Sequence, residues 1–382
     1  INSCLFFIYV REYIYIDLHT GGICLEQLRV NLGKNSYDIS FNTSFDALAD
    51  RLRAINAPEK ILIVCDTNVL ALYSDEVAGV LKNAGYDVAC YAFAAGEENK
   101  EIGTVLGICA AAMEAGLDRS SMIIALGGGV VGDMAGLAAA LYMRGIRYVQ
   151  VPTTLLSQSD SSVGGKTGVD FRGAKNILGA FLQPSHVYIN VSALKTLPRR
   201  EIVSGMGEVI KHALIADAEF FDYITNNPGE ILSLDPGLMM AVCRKNCAVK
   251  AHVVEMDERE SGERMKLNFG HTVGHAIEGA VDFSLSHGEC VGIGMRAAAY
   301  ISNKLGTLTN GDTQRIYDVL SQFGFAERAD FNFARASELL KSDKKNKAGK
   351  NHFVLLSGIG KAYITDEVPQ GLCEEALRFV SK

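Results

Sequence analysis

The sequence predicts two domains, an α/β domain with a parallel sheet followed by an α-helical domain. Apolar, strand-like runs alternate with helical runs up to about residue 197, a pattern typical of βαβ units. Beyond that point helical periodicity dominates, and a glycine cluster joins an apolar strand to a helix near residue 127. We therefore expect an α/β domain over residues 28–197 and a helical domain over residues 198–382.

The first half contains two kinds of segment. Period-two or continuous apolar runs predict strands, and runs with helical spacing behind polar residues predict helices. A hairpin-like alternating segment over residues 28–39 comes first, and Ser44 is expected to cap the helix that follows. The predicted strands are 61–65, 87–93, 122–126 and 148–151, and the predicted helices are 44–55, 75–84 and 100–116.

The second half is predicted to be helical, with two short strands near its end. The helices are expected at 201–216, 218–225, 238–255, 268–281, 288–305, 311–322 and 333–341, and the strands at 352–356 and 361–364. Residues 1–27 are interpreted either as a genuine extension or as an upstream stretch wrongly read as coding, and we give them no functional weight. Their apolar core of about six residues is too short for a secretory signal.

Composition excludes several classes of function. A net charge of −7 argues against a nucleic-acid surface, and no apolar run is long enough to span a membrane. Nine scattered cysteines without a CxxC pair are typical of reduced core residues, so we expect a cytoplasmic protein.

The glycine cluster predicts a nucleotide site in a Rossmann-like domain. Gly127, Gly129 and Gly132 form G-x-G-x-x-G between a strand and a helix, where backbone N–H groups can approach a phosphate. The acidic residue expected about 20 positions downstream is missing, but Asp66 ends an upstream strand and could bind a ribose. The alternative is that these glycines serve only close packing.

A second polar, glycine-rich segment, DSSVGGK, places Asp160 and Lys166 near the first. Lys175 and Asn176 follow it. Two such loops joined by one short strand suit a nucleotide and a phosphorylated substrate better than they suit packing alone.

A metal site is predicted in the second half. His271 and His275 lie at i and i+4 on one helix face, and His287 follows twelve residues later. Glu208 supplies a carboxylate, with Lys211 one turn further along the same helix. If two histidines and one carboxylate bind the metal, the third histidine is available for proton transfer. The alternative is that one or two of these histidines are ordinary surface or core residues.

The motifs together resemble those of the 3-dehydroquinate synthases in the sugar-phosphate cyclase family. The resemblance runs from about Leu28 to the C-terminus. It rests on GGGVVGD, PTTLLSQSDSSVGGKTGVD, AKN, LKTLPRRE, GEVIKHAL, DERESGERMKLNFGHTVGHAIE, SHGE and SDKKN.

The resemblance implies a dehydroquinate synthase-like fold, bound NAD and one divalent metal ion, zinc or cobalt. It implies a phosphate-eliminating carbon–oxygen lyase that converts 3-deoxy-D-arabino-heptulosonate 7-phosphate to 3-dehydroquinate, in the shikimate pathway of aromatic amino-acid biosynthesis. The steps are transient oxidation by NAD, β-elimination of phosphate, re-reduction and intramolecular aldol closure. We also expect a homodimer without nucleic-acid or membrane partners.

The resemblance also implies roles for single residues. The metal ligands would be Glu208, His271 and His287. The catalytic residues would be His275, Glu260, Lys166 and Asn176. The NAD contacts would be Asp66, Asn68, Glu97, Lys100, Gly129, Val130, Val131, Gly132, Asp133, Thr153, Thr154, Lys175 and Thr196. The substrate contacts would be Arg144, Asp160, Lys166, Asn176, Lys211, Lys250, Arg264, Asn268 and Lys344.

Two small departures from the family pattern occur. Ala174 stands where glycine is commoner before Lys-Asn, and Gly207 stands where alanine is commoner before the metal glutamate. Three alternative functions are a sugar-phosphate cyclase that makes an aminocyclitol or valiolone precursor, a metal-dependent polyol dehydrogenase, and a non-enzymatic binding protein. The first would use a different polar set for the substrate carboxylate, and the second would consume NAD.

Overall fold

The computed structural model describes residues 27–260, 262–281, 284–342 and 352–382. The chain divides into two compact units. The first runs through Lys195 and also includes Lys250–Glu255, and the second comprises Thr196–Val249 and Met256–Lys382. Almost all of the predicted N-terminal extension, and Lys344, lie outside the described residues. The predicted fold class, a mainly parallel α/β sheet plus a helical C-terminal region, is confirmed.

The first unit is built on a seven-stranded sheet and a separate hairpin. The sheet has the order β1-β2-β9-β6-β5-β3-β4, and its only antiparallel pair among the described residues is β1 with β2. The strands are β1 Gln27–Val30, β2 Tyr37–Asn42, β3 Lys60–Asp66, β4 Asp87–Phe93, β5 Met122–Gly127, β6 Arg147–Pro152, β7 Lys166–Phe171, β8 Ala174–Phe181 and β9 His186–Asn190.

Helices cover both faces of this sheet, as buried parallel strands require. They are α1 Leu48–Ala54, α2 Thr67–Val69, α3 Asp75–Asn83, α4 Ile102–Glu114 and α5 Gly129–Leu141. One apolar cluster lies under α4 and α5, and a second lies under α1 and α3. The predicted cap at Ser44 is wrong: α1 begins after Ala47 without a side-chain cap, and the Ser44 hydroxyl donates to Asp46 instead.

The β7–β8 hairpin was missed from the sequence, where this region was interpreted as polar loops. Strand β8 is exposed along almost its whole length, so it lacks the apolar alternation that marks a half-buried strand. The chain turns at Arg172 and Gly173, both in the left-handed region at φ +51° and +79°.

The second unit is predominantly helical. Its helices are α6 Arg199–Ala216, α7 Ala218–Asn226, α8 Pro228–Leu232, α9 Pro236–Met256, α10 His271–Glu278, α11 His287–Lys304, α12 Asn310–Gln322, α13 Phe333–Ser342 and α14 Gln370–Phe379, and its two strands are β10 Phe353–Gly358 and β11 Lys361–Thr365. The last turn and a half of α9 groups with the first unit. Helix α14 was not predicted. Among the described residues, every helix is too short or too polar to cross a bilayer.

Helices α6, α10 and α11 approach one another through glycines. A Cβ atom added at Gly288 would lie 2.1 Å from the carbonyl oxygen of Ser204, and one added at Gly294 would lie 2.0 Å from that of Gly270. Real Cβ atoms do not approach this closely, so only glycine permits these crossings. The close packing brings residues of three helices to one place in the second unit.

Candidate functional site

Three ligand-type side chains converge in the second unit. Glu208 lies in the middle of α6 with 1% of its surface exposed. Its Oε1 atom lies 3.6 Å from Nε2 of His271 and 3.8 Å from Nε2 of His287. That oxygen accepts no hydrogen bond from any described residue. Ligand atoms bound to tetrahedral zinc at about 2.0–2.2 Å lie roughly 3.3–3.6 Å apart. The Glu208 oxygen lies at the upper edge of this range from His271 and slightly beyond it from His287, so each pair is close to the separation that a shared divalent metal ion requires.

Local structure fixes both histidines at helix starts. His271 is the first residue of α10 and follows Gly270, whose φ of +79° is left-handed. His287 is the first residue of α11, where Ser286 and Glu289 form a capping box.

Arg200 strengthens this second cap. Its Nε donates to Glu289 at 3.0 Å, and its Nη2 donates to the carbonyl of Ser284 at 2.7 Å. The backbone position of His287 is therefore set by hydrogen bonds on both sides.

The outer ring nitrogen of each histidine also has a partner. Nδ1 of His271 lies 3.2 Å from the carbonyl oxygen of Phe269, and Nδ1 of His287 lies 3.3 Å from Oε2 of Glu278. Burial, reinforced by the charge of Lys211, holds the pKa of His271 well below its usual value. Burial alone would lower the pKa of His287, but the carboxylates of Glu278 and Glu208 outweigh it and raise that pKa.

Two further polar side chains adjoin these three residues. Lys211 Nζ donates to Oε2 of Glu208 in a buried ion pair one helical turn away. His275 lies near both other histidines, with ring centroids 5.1 Å from His271 and 5.7 Å from His287, and it is exposed. Geometry alone thus allows a Glu-His-His set or a His-His-His set.

The loop after α9 gathers three of the predicted polar residues. Asn268 Nδ2 donates to Oε1 of Glu260 at 3.2 Å, and Arg264, 1% exposed, donates Nη1 to the carbonyl of Glu258 at 2.5 Å. The carboxylate of Asp257 accepts the backbone N–H groups of Gly262 and Arg264 and so shapes the loop. The sequence analysis missed Asp257.

The predicted phosphate turn lies in the first unit, between β5 and α5. Helix α5 begins after Gly128, and no side chain caps its start. Its first backbone N–H groups can therefore donate hydrogen bonds to an anion. A Cβ at Gly128 would lie 3.1 Å from Thr154, and one at Gly129 would lie 3.1 Å from Ser161. A Cβ at Gly132 would lie 2.6 Å from Gln150, so close packing against Gln150 also explains a glycine at this position.

Strand register brings the other predicted nucleotide contacts to the same edge of the sheet. Val64 pairs with Ala125, and Gly127 pairs with Pro152. Asp66, Gly127 and Thr153 therefore meet at the carboxyl ends of adjacent strands, where open α/β sheets bind ligands. Asp66 also caps α2, because its Oδ1 accepts the N–H groups of Asn68 and Val69 at 2.9 Å each.

A buried ion pair lies in the same unit. Lys100 Nζ lies 2.7 Å from Asp133 Oδ2 and 4.0 Å from Glu97 Oε1. Burial would lower the pKa of Lys100, but Asp133 and Glu97 outweigh it and raise that pKa. Burial raises the pKa of the Asp133 carboxyl against the opposing charge of Lys100. All three residues were predicted NAD contacts.

The predicted substrate residues of this unit are only partly brought together. Lys250 Nζ lies 2.8 Å from Oδ1 of Asp160 and 2.6 Å from its carbonyl oxygen. Asn176, in the left-handed region at φ +51°, donates its N–H to Asp170, a residue that the sequence analysis missed. Four other predicted contacts have exposed side chains: Arg144, Lys166, Lys175 and Thr196.

The chain is similar to known proteins over most of its length. The family description "3-dehydroquinate synthase N-terminal" matches residues 90–204, and "3-dehydroquinate synthase C-terminal" matches residues 205–346. The 3-dehydroquinate synthase of Ruminiclostridium cellulolyticum is 46% identical over 335 residues, which cover 87% of this chain and 93% of that protein.

Two solved structures share the fold. A 2-epi-5-epi-valiolone synthase from Streptomyces hygroscopicus, with NAD⁺ and Zn²⁺ bound, is 31% identical with a TM-score of 0.85, covering 92% of this chain and 98% of that one. A 2-deoxy-scyllo-inosose synthase complexed with carbaglucose-6-phosphate, NAD⁺ and Co²⁺ is 26% identical with a TM-score of 0.85, covering 92% and 99%. Because both family halves match in order and a relative is 46% identical over most of its length, the chain belongs to the 3-dehydroquinate synthase family.

Proposed function

We propose that this chain converts 3-deoxy-D-arabino-heptulosonate 7-phosphate to 3-dehydroquinate and phosphate, with NAD and one zinc or cobalt ion. The observation that carries the proposal is the buried Glu208 oxygen facing two histidine nitrogens. A protein that only binds a nucleotide has no use for that arrangement. Family membership and the cofactors of the two structural relatives support the same activity.

We assign the metal to Glu208, His271 and His287 rather than to three histidines. A carboxylate buried in a helix interior is costly unless its charge is compensated, and Lys211 occupies only one of its two oxygens. His275 is the exposed member of the cluster and is the better candidate for proton transfer. A metal ion bound there would increase the acidity of a substrate hydroxyl, and NAD would accept and return a hydride within one turnover.

The residues of the first unit would bind NAD. The uncapped start of α5 would receive the pyrophosphate, and the Asp66 carboxylate at the end of β3 would bind a ribose. Lys100 and Asp133 form an ion pair at 2.7 Å beside that helix start. The pair would orient the nicotinamide side of the cofactor.

The chain also carries the predicted contacts of the substrate. Arg264 and Asn268 would bind its carboxylate and hydroxyl groups, and Lys250 would help to orient it. Lys166 and Asn176 would bind the phosphate, together with Arg144. Glu260, whose carboxylate already accepts a hydrogen bond from Asn268, would serve as a further acid or base.

We also propose a homodimer. Ile177 and Phe181 lie four residues apart on β8, on one face of the strand, and are 62% and 51% exposed. Side chains of this size on an exposed hairpin suit contact with a second copy of the chain.

The test follows both products and cofactor. Purified protein would be incubated with the heptulosonate phosphate, zinc and an amount of NAD far below the substrate. We expect the amount of phosphate released to exceed the amount of NAD many times, without steady accumulation of NADH. NADH that accumulates in step with product would support a polyol dehydrogenase instead.

A second arm addresses the alternative of a valiolone-type cyclase, to which the 31% identical structure belongs. The same assay would use a sugar 7-phosphate that lacks the carboxylate. Arg264→Ala is expected to slow the natural substrate far more than this analogue, because a charge-assisted hydrogen bond contributes about 1.5–3 kcal/mol. Faster turnover of the analogue by the unaltered chain would contradict the proposed substrate.

A further inference from the structure

The carboxylate of Glu278 lies behind one of the proposed metal ligands. Its Oε2 atom is 3.3 Å from Nδ1 of His287, and its side chain is 13% exposed. On the other side of the same ring, Nε2 faces the unpartnered oxygen of Glu208 at 3.8 Å. The imidazole is therefore held between two carboxylates, one on each nitrogen.

This contact decides which nitrogen of His287 carries the proton. A carboxylate accepts hydrogen bonds, and the Nδ1 contact with Glu278 at 3.3 Å is within hydrogen-bonding distance whereas the 3.8 Å approach of Nε2 to Glu208 is not. In the neutral ring Nδ1 is therefore the protonated nitrogen, and Nε2 has a lone pair for the proposed metal ion. His271 has the same arrangement with a different acceptor, because its Nδ1 lies 3.2 Å from the carbonyl oxygen of Phe269. Both histidines are thereby prepared to bind through Nε2.

Helix formation does not explain a glutamate at this position. Glu278 is the last residue of α10, where the helix dipole disfavours a negative charge. Its position is instead explained by the helix face that it shares with His271, seven residues earlier, which aims it toward the metal ligands.

We propose that Glu278 is a positioning residue for the metal: its carboxylate holds His287 in the tautomer and ring orientation that present Nε2 to the ion. The inference rests on the proposed metal-dependent function. Carboxylates behind ligating histidines fix the ring and increase its basicity, and their loss typically weakens metal binding roughly 10- to 100-fold. Glu278 adds no bond to the metal itself.

The test measures zinc affinity rather than turnover. The full chain and its Glu278→Gln and Glu278→Ala variants would compete for zinc with a chromophoric chelator of known affinity. Both variants are expected to have a Kd raised roughly 10- to 100-fold, with the smaller change for glutamine, which keeps an acceptor oxygen. Glu338→Gln, at a side chain 74% exposed in the same unit, is the control and should match the unaltered chain.

Two further readouts separate positioning from folding. With chelator present, the variants should unfold at the same temperature as the unaltered chain, and the rise in Tm on adding zinc should be smaller. The visible absorption bands of the cobalt-loaded variants should also shift. Unchanged zinc affinity in both variants would overturn the inference, with or without a lower Tm in the absence of metal. An unaltered chain that binds no zinc would instead overturn the proposed function.

Discussion

Single buried polar residues carry most of the chemistry in this chain. Glu208 is nearly fully buried, and within the described part of the chain only one of its oxygens has a hydrogen-bonding partner, Lys211. An unpaired carboxylate oxygen in a protein interior costs free energy that folding must offset elsewhere. A bound cation would remove that cost, which is why this residue, more than any histidine, supports the proposed metal centre.

The zinc content of purified variants should therefore distinguish the proposed metal ligands from His275. Glu208→Gln, His271→Ala and His287→Ala should each purify with much less zinc, because each removes one of three protein ligands. His275→Ala should retain zinc near one equivalent and lose turnover. Atomic absorption on matched preparations checks both statements. A loss of zinc in His275→Ala as large as that in His271→Ala would favour the three-histidine set.

The buried His186 should make the stability of the folded chain depend on pH. Burial lowers the pKa of His186 from 6.5 to about 4, and its Nε2 lies 2.9 Å from the hydroxyl of Ser40. The unfolded chain thus binds a proton at this residue between pH 6.5 and 4 that the folded chain does not. The free energy of unfolding should fall as the pH drops through this window, by at most about 1.4 kcal/mol per pH unit.

The measurement is urea unfolding followed by circular dichroism, since the chain has no tryptophan. His186→Asn should show a shallower fall in unfolding free energy between pH 7 and 5 than the unaltered chain, whatever its absolute stability. Parallel pH curves for the two proteins would mean that His186 does not carry this dependence.

At the scale of elements, glycine contacts decide how closely the helices of the second unit pack. Gly288 in α11 lies against the backbone of Ser204 in α6, and Gly294 lies against Gly270 just before α10. Gly207 belongs to the same contact, because a Cβ there would lie 3.0 Å from the carbonyl oxygen of Gly288. An alanine at Gly207 would need a small separation of these helices.

Gly288→Ala should therefore both destabilise the protein and lower its zinc affinity. The added methyl must push α6 and α11 apart, and overpacking of this kind typically costs about 1–3 kcal/mol. The shift would also separate Glu208 from His287. Gly371→Ala in α14 is the matched control, since nothing lies within 4 Å of its added Cβ. Thermal unfolding and chelator competition give the two readouts, and equal behaviour of both variants would contradict the packing argument.

At the scale of the whole molecule, the proposed homodimer makes a prediction about mass. The chain of 41.2 kDa should elute with about twice that mass in light scattering coupled to gel filtration. Ile177→Asp should shift the population toward monomer, because it places a charge on the exposed apolar face of β8. Leu72→Asp, at an exposed apolar residue outside this hairpin, is the control and should leave the mass unchanged. A monomer in the unaltered chain would refute the proposed assembly.

Much of the fold could be predicted because the signals are local. The sheet strands β3, β4, β5 and β6, and all of the predicted helices, lie within a few residues of their expected positions. Periodicity and caps depend only on neighbours in sequence. The β7–β8 hairpin was missed because exposed strands carry no apolar alternation. The Ser44 cap was wrong because the helix begins only at Leu48, and the Ser44 oxygen accepts the backbone N–H of Asp46 in the turn before it.

The sequence by itself determined the residue types and the spacing: two histidines one turn apart, a third downstream, a glycine turn after a strand and an acid at the end of another. Only the tertiary structure decided which atoms meet. The approach of Glu208 to His271 and His287 and the contact of Glu278 with His287 join residues from separate elements. Such distances depend on how closely helices pack, and here the backbone contacts of glycines set that packing, which no local pattern encodes.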